Sequence, residues 1–143
     1  MSDLLFVYGT LRRGFANPHA DFLAQHSRFL GMASIPGTLF LLGGSAQDGF
    51  SYPGAVWDSA STQRVTGELL QLHDPSLCFR LLDHYEGVGE EFGEPQAYVR
   101  QIIPVRREED GSEVPCWCYL WNLPVSGLPK IPGGDFAAIG SRK

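Results

Sequence analysis

Residues that form turns interrupt this sequence so often that long helices cannot dominate it. Of its 143 residues, 17 are glycine and 10 are proline. Glycine frees the backbone and proline removes a backbone N–H, so both tend to end regular elements. The sequence therefore predicts that short strands and loops outnumber long helices.

The length and the apolar content predict one folded domain. A chain of this size buries roughly 70% of the surface exposed in its unfolded state, so it needs no disulfide or metal for stability. Hydrophobic residues make up 43% of the chain, which excludes a disordered protein. We expect residues 1–143 to form a single domain, with a core over about 4–121 and a Pro/Gly-rich tail over 122–143.

The charge balance and the cysteine count exclude several classes of partner. With 11 basic and 16 acidic residues the formal net charge is −5, whereas nucleic-acid-binding proteins usually carry a basic surface. No stretch has the roughly 20 apolar residues of a membrane-spanning helix, and the N-terminal run lacks the basic residues of a signal peptide. Three cysteines, an odd number, favour a reducing compartment. We expect a cytoplasmic protein that binds neither nucleic acid nor membrane.

Apolar runs and alternating patterns predict seven short strands. They cover residues 4–8, 32–35, 38–42, 55–58, 64–72, 97–106 and 114–121. Pro36-Gly37 separates the second strand from the third, and 43–54 is predicted as loop. Asp110-Gly111 predicts a hairpin turn between the last two strands.

A first helix is predicted to start at Asn17-Pro18, a capping side chain followed by a proline at the first helical position. Phe22, His26 and Phe29 recur at helical spacing, and Gly31 is predicted to end the helix.

A second helix is predicted from Asp74-Pro75 to Gly87, with Leu77, Leu81 and Tyr85 on one face and Cys78 and Leu82 beside it. Two helices among many strands, without regular βαβ alternation, predict an α+β fold. We expect a mixed, barrel-like sheet with a few peripheral helices.

Tyr8-Gly9-Thr10-Leu11 follows the first predicted strand and is the first candidate binding element. Glycine lets a backbone approach a ligand closely, and successive N–H groups in such a turn can bind an anion. A plain glycine turn that ends a strand explains the same residues.

Glu86 is the candidate for acid–base chemistry. It falls in the last turn of the second predicted helix, where the negative end of the helix dipole raises the pKa of a carboxyl group. A carboxyl group that titrates near neutral pH can act as a general base. A solvated glutamate at a frayed helix end explains the same position.

Tyr98 and Arg100 are two residues apart in a predicted strand, so their side chains share one face. A phenol beside a guanidinium makes a donor pair for a carboxylate, either on a substrate or on a catalytic glutamate. A cross-strand pair on a solvated face is the other interpretation.

Cys116 and Cys118 are predicted to be a small buried pair, because no further cysteine or histidine has the spacing of a zinc site. Trp117, Tyr119 and Trp121 alternate with them and are predicted to belong to the core. The sequence contains no P-loop, no Rossmann fingerprint and no H-E-x-x-H motif. We therefore expect no metal and no cofactor.

Taken in order, the segments resemble the gamma-glutamylcyclotransferase-like family over about residues 4–121. The matching segments are Val7-Tyr8-Gly9-Thr10-Leu11-Arg12-Arg13-Gly14, Leu30-Gly31, Gly37-Thr38-Leu39-Phe40, Tyr52-Pro53-Gly54-Ala55-Val56, Val65-Thr66-Gly67-Glu68-Leu69, Leu82-Asp83-His84-Tyr85-Glu86-Gly87 and Tyr98-Val99-Arg100. The resemblance implies a small mixed barrel with peripheral helices. It also implies a small gamma-glutamyl substrate that is cyclised to 5-oxoproline with release of a free amine, and no cofactor.

The resemblance also implies the roles of individual residues. Glu86 would be the general acid/base, and Tyr8, Gly9, Thr10 and Leu11 would hold the gamma-glutamyl group. Tyr98 and Arg100 would support substrate binding.

Three alternatives stay open. One of Glu90, Glu91 and Glu94 could reach the pocket in place of Glu86. The domain could bind a small metabolite or dock a partner without turnover. A cysteine-dependent hydrolase would need an accessible thiol beside a base, a pairing that the sequence does not provide.

Overall fold

The computed structural model describes residues 2–43 and 51–137. Two helices and six strands follow one another in these ranges, with short 3₁₀ turns at Glu90–Phe92 and Pro132–Gly134. In chain order they are β1 (Leu4–Val7), α1 (Pro18–Gln25), β2 (Ser27–Gly43), β3 (Ser51–Trp57), β4 (Arg64–Leu72), α2 (Pro75–Glu86), β5 (Tyr98–Arg107) and β6 (Glu113–Trp121).

Five of the strands close into a barrel. Their order is β2-β4-β1-β6-β5, and β5 returns to β2 where Ala33 and Ser34 pair with Arg107 and Arg106. The β1–β6 pair is parallel and the other pairs are antiparallel, so the sheet is mixed. β3 adds to β2 outside the closed ring. The predicted α+β fold with a barrel-like sheet is confirmed.

The predicted break at Pro36-Gly37 is wrong, because β2 runs through it without interruption. Before this point β2 pairs with β4, up to Pro36 opposite Arg64. After it β2 pairs with β3, from Gly37 opposite Trp57. The dipeptide is therefore the place where one strand changes partners. The predicted loop over 43–54 is also wrong where it is described, because β3 begins at Ser51; residues 44–50 lie outside the described ranges.

The first predicted helix is too long. It ends at Gln25, and Phe29 already lies in β2, opposite Leu70 of β4. Gly31 lies at a shift in the β2–β4 register and does not end a helix. Long-range pairing with β4 outweighs the helical spacing of the aromatic residues, which is a local signal.

Both predicted helix starts and the second helix stop are confirmed. Asn17 Oδ1 accepts the Ala20 N–H at 2.8 Å, and Asp74 Oδ1 accepts the Leu77 N–H at 3.2 Å. α2 ends at Glu86, before Gly87. Its predicted apolar side is only partly right. Cys78 and Leu82 are buried together with Phe79, whereas Leu81 and Tyr85 are exposed.

Hydrophobic packing fills the barrel and fastens the helices to one side of it. Phe6 belongs to the cluster that also contains Cys116 and Cys118, which confirms the predicted buried cysteine pair. Ile131 and Phe136 of the tail join that cluster. Leu23 of α1 and the buried residues of α2 form a second cluster with neighbouring residues of β1 and β4. Within the described ranges, no helix is long and apolar enough to cross a membrane.

The partner change in β2 predicts a strong and specific sensitivity at Gly37. Its φ is +150°, and a β-carbon there would collide with the backbone oxygen of Val56. We expect Gly37→Ala to lower the free energy of unfolding by about 3 kcal/mol, measured by urea titration. Gly111→Ala is the matched control, because Gly111 also has positive φ but open space around it. It should cost only about 1 kcal/mol; equal losses would contradict the steric explanation.

Candidate active site

A cavity of about 470 Å³ opens where the turn after β1 meets the end of α2. Strands β3, β5 and β6 complete its wall. Phenyl, phenol and indole rings form much of the lining: Phe6, Tyr8, Tyr52, Tyr85, Phe92, Tyr98, Tyr119 and Trp121. Pockets that bind small molecules commonly combine such apolar walls with a few polar groups.

The cavity brings together most of the residues singled out from the sequence. Tyr8, Gly9, Thr10, Leu11, Glu86 and Tyr98 all line it. Arg100 is absent from the lining, and so are Glu90, Glu91 and Glu94, which are exposed. Of the four acidic residues considered, Glu86 is the one on the cavity wall.

The turn after β1 presents backbone to the cavity at Gly9. A β-carbon on Gly9 would lie 2.7 Å from Cγ of Pro53, so glycine permits a close approach between the turn and β3. Within the described residues, the amides of Gly9, Thr10 and Leu11 donate no hydrogen bond. The turn therefore offers unused N–H groups next to the cavity.

A buried cluster of charged residues holds this turn in place. Glu68 of β4 accepts the Arg13 backbone N–H at 3.0 Å, and its carboxylate lies 3.5 Å from Arg12 Nε. Arg12 also donates to Asp135 of the tail at 2.7 Å. Arg12 and Glu68 are about 5% and 4% exposed, so their charges depend on each other for stabilisation.

Two of the phenols on the cavity wall, those of Tyr8 and Tyr98, have their hydroxyl groups engaged by the barrel. Tyr8 donates to the Tyr119 carbonyl at 2.6 Å and accepts the Ala55 N–H at 3.1 Å. Tyr98 donates to the Pro53 carbonyl at 2.7 Å. Burial raises the pKa of both hydroxyls, so they remain protonated. Both rings shape the cavity, and neither hydroxyl is available as a base.

The end of α2 delivers Glu86 to the cavity. The buried positions Cys78 and Leu82 precede Glu86 by eight and four residues, so Glu86 continues the face of the helix that packs on the barrel. Gly87 is left-handed at φ 73°, and the Val88 N–H donates to the Asp83 carbonyl at 2.8 Å. This is the Schellman arrangement, which ends a helix at a defined residue.

Glu86 is partly buried, and no described residue donates a hydrogen bond to its carboxylate. Burial raises the pKa of Glu86 to about 7, and the negative charge of Asp83 contributes to the rise. The direction agrees with the expectation from the sequence. The main cause is burial against aromatic rings, which the sequence could not reveal.

Arg100 binds a carboxylate, but the carboxylate belongs to Asp83. Its Nε and Nη2 atoms donate to the two carboxylate oxygens of Asp83, at 2.8 and 3.0 Å respectively. The Tyr119 hydroxyl donates to the same carboxylate at 2.6 Å. The donor pair expected from Tyr98 and Arg100 is thus divided: Tyr98 lines the cavity, whereas Arg100 lies behind its wall.

Sequence reasoning missed several wall residues. Tyr119 belongs to the second apolar cluster and Trp121 packs against it, as predicted, but both also line the cavity, as do Tyr52 and Pro53. The alternation of β6 shows which residues share a face. It does not show that this face meets the end of α2.

Thiol and metal chemistry have no site in the described residues. Cys78, Cys116 and Cys118 are all buried, and burial raises the pKa of each thiol. A cysteine nucleophile needs the opposite shift. No group of three or more His, Cys, Asp or Glu residues in the described ranges could hold a metal ion.

Comparisons with known proteins identify the family to which this small mixed barrel belongs. The family described as gamma-glutamyl cyclotransferase, AIG2-like, matches residues 5–138. This chain belongs to that family. The Escherichia coli K12 gamma-glutamylcyclotransferase family protein YtfP is 32% identical over 133 residues, covering 92% of this chain and 94% of YtfP.

Solved structures share the fold. The crystal structure of YkqA from Bacillus subtilis matches 96% of this chain with a TM-score of 0.65 and 29% identity. This chain covers 40% of the YkqA structure and 42% of the YkqA sequence, so it spans about two fifths of that relative. An AIG2-like protein from Mus musculus matches 93% of this chain and 88% of its own, with a TM-score of 0.64 and 25% identity.

The raised pKa of Glu86 predicts a pH-dependent cost to stability. The folded-state pKa is about 7 and the ordinary value is 4.5, so the folded protein binds this proton more tightly than the unfolded chain. Wild-type stability should therefore fall as pH rises through that window. Glu86→Gln removes the effect, and its advantage in free energy of unfolding should grow to about 3 kcal/mol above pH 7.

Urea titrations at several pH values measure this difference. Glu113→Gln, at an exposed position, controls for the loss of one negative charge. A difference between Glu86→Gln and wild type that is the same at pH 4.5 and pH 7.5 would contradict the raised pKa.

Proposed function

We propose that this protein cyclises a gamma-glutamyl amine or peptide to 5-oxoproline and a free amine, with Glu86 as the general acid/base. The observation that carries the proposal is the meeting of Glu86 and the Tyr8–Leu11 turn in one cavity. Membership of the AIG2-like gamma-glutamyl cyclotransferase family supports it.

The reaction needs one group that moves a proton between two nitrogens. The alpha-amine of the glutamyl group attacks its own gamma-carbonyl carbon, and the amine proton passes to the Glu86 carboxylate. The bond from that carbon to the departing nitrogen then breaks, and Glu86 returns the proton to the departing nitrogen. A pKa of about 7 suits both steps, because the carboxyl group exchanges its proton readily near neutral pH.

The turn after β1 supplies the binding groups in this proposal. The unused amides of Gly9, Thr10 and Leu11 would hold the glutamyl carboxylate or the oxyanion that forms during ring closure. Nucleophile and carbonyl already belong to one molecule, so the cavity has only to select the folded conformer of the substrate. Water is not consumed, which fits an apolar wall.

Replacing the proposed base tests the reaction directly. We expect the wild-type protein to release 5-oxoproline from at least one member of a panel of gamma-glutamyl amines and gamma-glutamyl amino acids. Glu86→Gln should lower kcat by about a hundredfold or more, because general acid–base catalysis contributes typically 10²–10⁴-fold. Chromatography of 5-oxoproline measures both.

Glu91→Gln is the matched control, because Glu91 is exposed outside the cavity, and it should retain wild-type kcat. Undiminished turnover by Glu86→Gln would rule out the assigned base. Tight binding of 5-oxoproline without turnover of any compound would favour a metabolite-binding protein.

The composition of the wall also predicts a preference for the leaving amine. No lysine or arginine lines the cavity among the described residues. The donors that can meet an anion include the amides of the turn and the indole N–H of Trp121, which has no partner among those residues. We expect them to bind one carboxylate, that of the glutamyl group. A leaving amino acid would bring a second carboxylate into an aromatic wall that has no lysine or arginine to pair with it, which is unfavourable.

Two substrates that differ by one carboxylate test this preference. We expect kcat/KM for gamma-glutamylphenethylamine to exceed that for gamma-glutamylphenylalanine by about tenfold or more, equivalent to about 1.4 kcal/mol. The carboxamide of the second compound controls for size and should behave like the first. Equal values for all three would show that the wall does not discriminate charge.

A further inference from the structure

A polar network beside the cavity is centred on Asp83. This residue lies three positions before Glu86 on α2, and residues with that spacing are neighbours on a helix surface. Its carboxylate accepts three hydrogen bonds, two from Arg100 and one from Tyr119, all at 2.6–3.0 Å. Its backbone carbonyl accepts the Val88 N–H that ends the helix.

We propose that Asp83 and Arg100 form a positioning pair that docks the last turn of α2 on the barrel and so holds the Glu86 carboxylate in the cavity. This inference rests on the function proposed above. Neither residue lines the cavity, so neither is assigned a contact with substrate.

The side chains packed around Arg100 hold the positioning pair in one geometry. Its guanidinium lies over the ring of Phe79 at 4.1 Å and over that of Trp117 at 4.4 Å. Phe79 belongs to α2 and Trp117 to β6, so the guanidinium is packed between the helix and the barrel. Its two N–H donors bind the Asp83 carboxylate at the same time. Stacking and bidentate binding together require the planar guanidinium. A lysine would keep the charge and lose this geometry.

The positioning pair also determines the electrostatic environment in which Glu86 ionises. Asp83 is the nearby anion that disfavours ionisation of Glu86, and Arg100 partly neutralises Asp83. The other titratable groups around Glu86 come from the turn after β1, from β3, β5 and β6, and from α2 itself. They are Tyr8, Tyr52, Tyr98, Cys118, Tyr119, His84 and Tyr85. Burial raises the pKa of Tyr8, Tyr98, Cys118 and Tyr119, which keeps these groups neutral.

Two substitutions should therefore move the titration of Glu86 in opposite directions. Asp83→Asn removes the neighbouring negative charge and should lower the midpoint by about one pH unit. Arg100→Met leaves that charge without its partner and should raise the midpoint by a similar amount. Carbon-13 NMR of labelled glutamate side chains follows the midpoint without any substrate, with Glu86→Gln to assign the signal.

Arg100→Lys separates position from charge. It should leave the titration midpoint of Glu86 within about 0.3 pH units of wild type. It should nevertheless lower kcat by about tenfold to a hundredfold with little change in KM, because a small displacement of a catalytic group slows the chemical step. Hydrogen exchange of the Gly87 and Val88 amides should be faster in Arg100→Lys and Arg100→Met than in wild type.

The matched controls are Asp21→Asn and Arg80→Met, at exposed positions on α1 and α2. They should leave midpoint, exchange and kcat unchanged. Midpoints that move in the same direction in Asp83→Asn and Arg100→Met, or full kcat in Arg100→Lys, would overturn the inference. If Arg100→Met does not fold, unchanged midpoint in Asp83→Asn is the overturning result.

Failure of the proposed function would give a different outcome. If no gamma-glutamyl compound is turned over by wild type, the proposed reaction is wrong. The NMR midpoints and the amide exchange rates then still decide whether Asp83 and Arg100 hold Glu86.

Discussion

A carboxylate buried in the barrel wall fixes the part of the molecule on which the cavity depends. Glu68 has almost no exposure to water, and its donors come from the turn that follows β1. Removing one partner from a buried pair of this kind typically costs several kcal/mol. Arg12 also donates a hydrogen bond to Asp135 of the tail. Its guanidinium therefore connects the turn both to β4 and to the tail. The position of the amides at Gly9–Leu11 thus follows from an ion pair outside the cavity.

The polar groups near the cavity divide into those used by the fold and those left for a ligand. The hydroxyls of Tyr8 and Tyr98 are hydrogen-bonded to backbone groups, and the guanidinium of Arg100 is hydrogen-bonded to Asp83. Among the residues that the structure describes, the Glu86 carboxylate, the amides of the turn and the indole N–H of Trp121 have no hydrogen-bond partner. In the proposed reaction, proton transfer therefore rests on one carboxyl group and anion binding on backbone. Rigid supports around a few free groups are the arrangement that preorganised catalysis requires.

Local signals predicted the elements that present these groups. The Asn17 and Asp74 caps, Gly87 and the turn after β1 are all encoded by neighbouring residues, and the resemblance to a family joined the separate segments into one site. Long-range pairing was out of reach. Nothing local shows that β2 changes partners at Gly37, that Phe29 pairs with β4, or that Arg100 meets Asp83. The wall formed by β6 was missed for the same reason, since alternation identifies a face and not its neighbour.

Pro53 has a second consequence, which concerns the side of β3 that faces away from β2. Among the described strands, β3 pairs with β2 alone. On its other side the Pro53 carbonyl accepts the Tyr98 hydroxyl, and the Ala55 N–H donates to the Tyr8 hydroxyl. Pro53 and Ala55 are buried, and proline has no N–H that would need a partner there. Two phenols of the cavity wall thus stand where a neighbouring strand would otherwise pair, so this buried edge satisfies its backbone without a further strand.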